Sequence, residues 1–561
     1  MRRSTRSEPA TLVAAGLVVL LLVVLVVVPL VRLVQVVAES GWTGVGSTLQ
    51  APGVGRSIVN TLVLSIVVTM VAVPLGAAMT LALRRSDLPA RGALRLGVLL
   101  PLLVPQFVLG YSWTQAYGRG GFTDDLLGVS WPLVLGPIGV AVVLVVNAVP
   151  VVALLVAAGL ATRAEPDLER AARASGASGW TALRTITLPL LNPSLAAAAV
   201  LTFVVTLESF AIPQVMGAAS GFTTITTRIY RDLAQGSDPR SFVEAVTLAL
   251  LLVVLAAAVV GPADAVLGPR LRTERAAQPP GAPVITARTT GSRALAWVIA
   301  GYLALTVVMP SLSLLAAAVT RGIGLPPTPD NWTLSYLRGA LTGPAWTALS
   351  HSLQLAAVGA SVLVLLGALV AALERGRRGR VLGAAVTLTL VLPGTTLAVG
   401  LLIAYGEWLG DTLSIILLAY LAKLWAFAHR PIAGALDRLP PAETQAARAS
   451  GAGLLTAIRT VVARPLLPAL IGAWLLVFVT ALHEITMSSL LYGPRSVTLA
   501  VVVLNNQELG QVGSTAAISV LLTLLLLVPA VPLLMIIRRL QRVRSEPAVD
   551  GRRVSEVAGA G

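Results

Sequence analysis

Ala171-Ala-Arg-Ala-Ser-Gly-Ala177 recurs without change as Ala446-Ala-Arg-Ala-Ser-Gly-Ala452, 275 positions later (171 to 446). The same offset places Pro166 on Pro441, Arg184 on Arg459, Pro193 on Pro468 and Phe203 on Phe478. A fixed-period repeat marks duplicated architecture, so the chain reads as two homologous halves. Proline suits the first position of a helix, where its missing N–H costs nothing. Glycine suits the stop, where a left-handed residue is wanted. Pro166 to Gly176 and Pro441 to Gly451 therefore predict a short, Ala-rich helix in each half. A helix of about ten residues is marginal alone in water, so each copy must pack on the rest of the molecule or on a partner. A connector between two apolar segments has no need of a preserved surface, so two near-identical copies favour docking.

Outward from these loops the chain is apolar. Of its 561 residues 56% are hydrophobic and 12% charged, with a mean hydropathy of +0.86. Soluble domains carry about 25% charged residues; only a bilayer suits this much apolar surface. The net charge of +16 would suggest nucleic acid in a soluble protein, but the arginines sit between apolar runs and read as topology signals. No nucleic-acid partner is expected. Cysteine is absent, which excludes disulfides and thiolate metal sites. The only lysine is Lys423, in Ala-Lys-Leu; a P-loop needs Gly-Lys-[Ser/Thr], so the chain has no nucleotide-binding motif of that kind and is not expected to be an enzyme.

About 20 apolar residues span a bilayer as helix. Twelve candidate spans lie near 11–36, 57–83, 94–113, 132–160, 186–213 and 241–267, then 294–319, 346–373, 381–405, 411–429, 466–490 and 512–537. The run from about Thr11 is too long for a signal peptide's apolar core and is expected to stay as the first span. Segments 84–95, 163–184, 270–293 and 430–464 and both termini hold most of the arginines, which predicts both termini in the cytoplasm. The expected organisation is a first half at 1–269, a polar Pro/Gly/Thr-rich linker at 270–292, a second half at 293–545 and a tail at 546–561. Each repeated loop (163–184 and 438–464) then lies on the cytoplasmic side, and two halves facing the same way imply a pseudo-two-fold axis along the membrane normal.

The repeated loop resembles the EAA signature of ABC importer permeases. The first copy reads Glu169-Arg-Ala-Ala-Arg-Ala-Ser-Gly176 and closes with Ile186-Thr-Leu-Pro189; the second reads Glu443-Thr-Gln-Ala-Ala-Arg-Ala-Ser-Gly451, with Ala463-Arg464-Pro465 in place of Leu-Pro. Asn60-Thr-Leu, Ser352-Leu, Leu392-Pro-Gly394, Glu208-Ser-Phe-Ala-Ile-Pro213 and Glu484-Ile-Thr-Met-Ser-Ser-Leu-Leu-Tyr-Gly493 are also similar to segments of such permeases. The resemblance implies an all-α integral membrane fold of about 12 helices, arranged as two tandem six-helix halves of the type I (MetI-like) importer kind. It implies that the loop is a coupling helix seated on a cytoplasmic ATPase, with Glu169, Ala171, Ala172 and Gly176 in one half and Glu443, Ala446, Ala447 and Gly451 in the other. It further implies two ATPase subunits that use ATP and Mg, a solute-binding protein on the outer side, and a location in the bacterial cytoplasmic membrane. No cofactor is expected on the chain itself. The fused form resembles ferric iron permeases, with thiamine, polyamine and aminoethylphosphonate permeases as relatives; an ion-coupled secondary transporter is the more distant alternative.

Ionisable residues inside a span are functional candidates. Glu208, and His483 beside Glu484, fall toward the outer ends of the fifth and eleventh spans. They are candidates for the translocation path, and structural hydrogen bonding is the competing reading. The three histidines are scattered, so no metal site is assigned, and no catalytic cluster is found.

Overall fold

The computed structural model describes residues 8–545, except 164–165, 237, 273–289, 323–324, 326–327, 375–378, 440–441, 443–445, 448, 452, 454–455 and 457. Most of the expected linker, the expected tail and the candidate Glu443 therefore lie outside the described residues. Among the described residues all regular structure is helical, apart from one isolated bridge between Thr320 and Trp332.

Among the described residues nine helices are long and apolar enough to cross a membrane, or ten if a bent pair counts as one span. In the first half α1 is Leu12–Gly41, α2 is Val54–Arg85, and the bent pair α3 and α4 is Arg91–Leu103 and Gln106–Leu127. They are followed by α5 (Pro137–Arg163), the short loop helix α6 (Pro166–Ala174), α7 (Gly179–Leu207), a short α8 (Ile225–Ala234) and α9 (Pro239–Ala263). The second half repeats the order. It has α10 (Gly291–Val319), α11 (Gly343–Leu373), a split pair α12 and α13 (Gly379–Leu388 and Gly394–Leu409), α14 (Leu413–Leu436), α15 (Arg459–Leu482), a short α16 (Leu499–Glu508) and α17 (Val512–Ser545).

The uninterrupted spans expected near 94–113 and 381–405 are both broken. The first bends by 107° between α3 and α4, and the second stops at Leu388 and restarts at Gly394. Val104-Pro105 and Leu392-Pro393 explain both: proline removes an N–H from the helical ladder and forces the preceding residue toward extended backbone. Val104, before the first proline, has ψ 126°, and Pro105 and Pro393 themselves have ψ 141° and 138°. Hydropathy cannot register such breaks, because the side chains stay apolar throughout.

Packing shows how two halves make one body. In the first half α2, α5 and α7 form a three-helix bundle, and α11, α14 and α15 form its counterpart in the second. The first span of each half crosses over: α1 lies against α13, and α10 lies against α4. One apolar cluster consequently runs from Val68 and Phe107 in the first half to Leu397 and Trp425 in the second. Without water to drive association, membrane helices gain most by close contact at small residues. A Cβ on Gly76 would lie 2.8 Å from Val152, and one on Gly367 would lie 3.0 Å from the His429 backbone. These glycines occupy matching positions in α2 and α11, and each lets its neighbour in the bundle approach.

Candidate functional site

The loop between α5 and α7 is built around one carboxylate. Glu169 lies on the inward face of α6 and is buried. It accepts hydrogen bonds from Arg85 at the end of α2 and from Thr187 near the start of α7, while Arg85 Nη1 donates to Thr187 Oγ1 at 3.1 Å. Charge-assisted bonds thus tie α6 to two helices of the first bundle. This carboxylate points into the molecule, away from any surface a partner could reach. The opposite face of the loop presents Ala171, Leu168 and Trp180 to solvent, with Ala172 half-buried. Trp180 is 67% exposed.

Gly176 ends α6. Its φ of +89° is left-handed; its N–H donates to the Arg173 carbonyl and the Ala177 N–H to the Ala172 carbonyl, both at 3.0 Å. This is the paired closure that glycine permits at a helix C-terminus. In the second copy Gly451 has φ +85°, and the Ser450 N–H donates to Ala446. There Ala446 and Gly451 are exposed and Ala447 is half-buried.

The second candidate region lies deeper than its sequence suggests. The chain leaves helical geometry at Glu208, and Glu208 meets Lys423, midway along α14. The fifth span therefore ends inside the protein rather than at the outer surface. Lys423 Nζ donates to Glu208 Oε2 at 2.8 Å, to the Leu392 carbonyl at 2.5 Å and to the Leu390 carbonyl at 3.2 Å. Those carbonyls are available because the break between α12 and α13 removed their helical donors. Irregular backbone at membrane depth needs partners of this kind. Glu208 Oε1 is buried with no hydrogen-bond partner. Lys423 and Glu208 are 13% and 15% exposed.

The mirrored position differs. His483 caps α15 and reaches the backbone of Leu103, beside the break of the first half's third span. Glu484 accepts from the Met487 N–H at 2.9 and 3.0 Å and from the Ser488 N–H at 3.1 Å; its carboxylate is taken up by the local turn. The structure brings Glu208 to Lys423 but does not join His483 and Glu484 to them. Sequence reading passed over Lys423, whose signal was a lone lysine inside an apolar span, and Arg85 and Thr187, which carry no local signal. Among the described residues no cluster of three or more His, Asp or Glu side chains could hold a metal ion.

Two cavities of about 390 and 470 Å³ lie where the halves meet, on either side of Gly510–Val512. Gln115 lines both, with Asp125 and Tyr336 in one and Tyr111, Arg119 and Gln507 in the other. By the alternation of spans they open on the face opposite the repeated loops.

The family of binding-protein-dependent transport system inner membrane components matches residues 56–273 and again 363–544, once in each half. The chain belongs to this family. Among curated relatives, the ferric transport system permease FbpB of Actinobacillus pleuropneumoniae is 24% identical over 484 residues, covering 82% of this permease and 68% of the relative. A probable ABC transporter permease of Sinorhizobium fredii is 24% identical over 511 residues, covering 87% and 88%. The molybdenum transport system permease ModB of Mycobacterium tuberculosis is 33% identical over 234 residues, covering 41% of this permease and 85% of the relative. The fold is accordingly an all-α membrane permease with two family units in one chain, and the protein is a multi-pass component of an ABC import system.

Proposed function

We propose that this permease carries ferric iron from an extracytoplasmic binding protein into the cytoplasm, driven by two separate ATPase subunits seated one on each repeated loop. The observation that carries the coupling role is the duplicated loop: each copy turns at a left-handed glycine, and Ala171, Ala446 and Gly451 are exposed. Such small exposed residues admit close approach by a partner, and the Arg85–Glu169–Thr187 knot ties the first loop to the first bundle. Magnesium and ATP belong to the partner. The arginine bias between spans supports a cytoplasmic position for these loops and for both termini. Iron is favoured because the ferric relative aligns across both halves, whereas the molybdenum relative aligns with less than half of this chain.

The test is ATP hydrolysis in liposomes by this permease with the ATPase and binding protein encoded beside it. Ferric-loaded binding protein is expected to stimulate hydrolysis, and Gly176→Val with Gly451→Val is expected to abolish the stimulation, since a left-handed β-branched residue costs about 1–2 kcal/mol at each site. Stimulation by molybdate- or phosphonate-loaded protein alone overturns iron and keeps the importer. Failure of any ATPase to associate overturns the coupling role and brings forward an ion-coupled transporter.

A further inference from the structure

The only lysine of the chain sits at the seam between the halves, in an all-oxygen nest. Its ammonium is held by Glu208 from the first half and by the Leu390 and Leu392 carbonyls from the second. A second bond between the halves runs close by, from Thr396 Oγ1 of α13 to the Ala249 carbonyl of α9 at 2.8 Å.

We propose that Lys423 and Glu208 form a charged latch across the translocation path, which holds the two halves together in this state and must part before solute passes. This rests on the importer reading above. Three observations carry it. First, of the three bonds to the ammonium only that to Glu208 crosses between halves; the carbonyls belong to Lys423's own half. When the halves separate, Lys423 keeps both carbonyls, so its charge is not stripped bare. Second, alternating access moves one half against the other around a central site, so a bond between the end of α7 and the middle of α14 lies in the moving seam. Third, the other seam has no matching pair. The 275 offset places Ala148 opposite Lys423 (148 to 423); the neighbouring Asn147 accepts a bond from Gln106 of its own half at 3.1 Å. The ionic hold is thus one-sided. Lys423 acts here as a positioning residue: it sets which state is stable at rest.

The latch is tested by ATP hydrolysis of the reconstituted complex without binding protein, which requires no knowledge of the cargo. Glu208→Gln combined with Lys423→Met removes both charges and leaves no lone buried ion, so it folds where a single substitution would be punished. With the latch gone, resting hydrolysis is expected to rise about fivefold or more, the lower end of ordinary coupling between sites, and stimulation by binding protein is expected to shrink in proportion. A pair that only supports the fold would lower assembly and hydrolysis together without raising the resting rate. A double variant that hydrolyses ATP at the wild-type resting rate overturns the latch. Co-purification and hydrolysis by the wild-type complex test the importer reading separately, so the latch can fail while that reading stands.

Discussion

The two seams around the pseudo-axis are built on one plan and charged differently. On one, Glu208 at the end of α7 meets Lys423 and the broken third span of the second half. On the other, His483 at the end of α15 meets the broken third span of the first half, and the nearby polar pair is the neutral Gln106–Asn147. Duplication kept the backbone events, which are the proline breaks, the glycine stops and the close bundle contacts. The ionisable side chains were free to diverge. The loops show the same pattern. Both stop at a left-handed glycine, while the buried clamp of Glu169 by Arg85 and Thr187 is described in the first half, and the equivalent helix end at 375–378 and Glu443 lie outside the described residues.

The largest expected effect sharpens that contrast. Glu169→Ala removes the carboxylate that faces Arg85, whose side chain is 17% exposed, and removing one partner of a buried pair costs about 3 kcal/mol or more. A fall in Tm of the detergent-solubilised permease, partly recovered in Glu169→Ala with Arg85→Met, is expected. A Tm unchanged by Glu169→Ala would mean that the clamp carries no energy.

A middle-sized effect tests what the halves share. Thr61 Oγ1 in α2 accepts the Ile225 N–H that opens α8 at 2.9 Å, and Ser352 Oγ in α11 accepts the Leu499 N–H that opens α16 at 2.8 Å. Thr61→Val and Ser352→Ala each leave a helix-opening N–H without its cap and are expected to cost about 1 kcal/mol. Equal losses of Tm support matched halves; a loss confined to one would show that the symmetry of these caps is geometric only.

The smallest effect returns to divergence. Asp232 on α8 contacts Arg228, which also pairs with Glu244, while its counterpart on α16, seven positions past the capped N–H in each half, is Asn506. Burial, with Glu244 adding to it and Arg228 opposing, raises the Asp232 carboxyl from 3.8 to about 6. A carboxyl raised on folding contributes stability that is complete below its unfolded pKa and lost as pH rises through the folded value. Tm is therefore expected to fall modestly between about pH 4 and pH 6, and Asp232→Asn should flatten that part of the profile. A profile unchanged by the substitution would assign the slope to other groups.

Much of the fold was legible in the residues. Apolar run length marks spans, the verbatim repeat marks two halves, and proline before glycine marks the loop helix, because each signal is local and chemical. Asn60-Thr-Leu and Ser352-Leu are visible as motifs, but their meaning is not: the hydroxyls of Thr61 and Ser352 each cap a helix far along the chain. Glu208 is legible as an ionisable residue in a span, but its depth is not, because the sequence does not say where a helix stops within the bilayer. The motif suggests Glu169 as part of a contact surface, and it faces inward, since helical phase on so short a helix is settled by what it packs against.

By itself the sequence determined a membrane protein of two like halves with a repeated loop between the fourth and fifth spans of each, because hydropathy, length and identity are properties of the chain alone. Only the tertiary structure decided that the first span of each half lies on the other, that proline turns two apparent spans into broken ones, and that Lys423 rests on a carboxylate 215 positions away. Those facts depend on which backbone groups lose their helical partners and which side chains can reach them, and in a medium without water the nearest donor or acceptor is fixed by packing rather than by order along the chain.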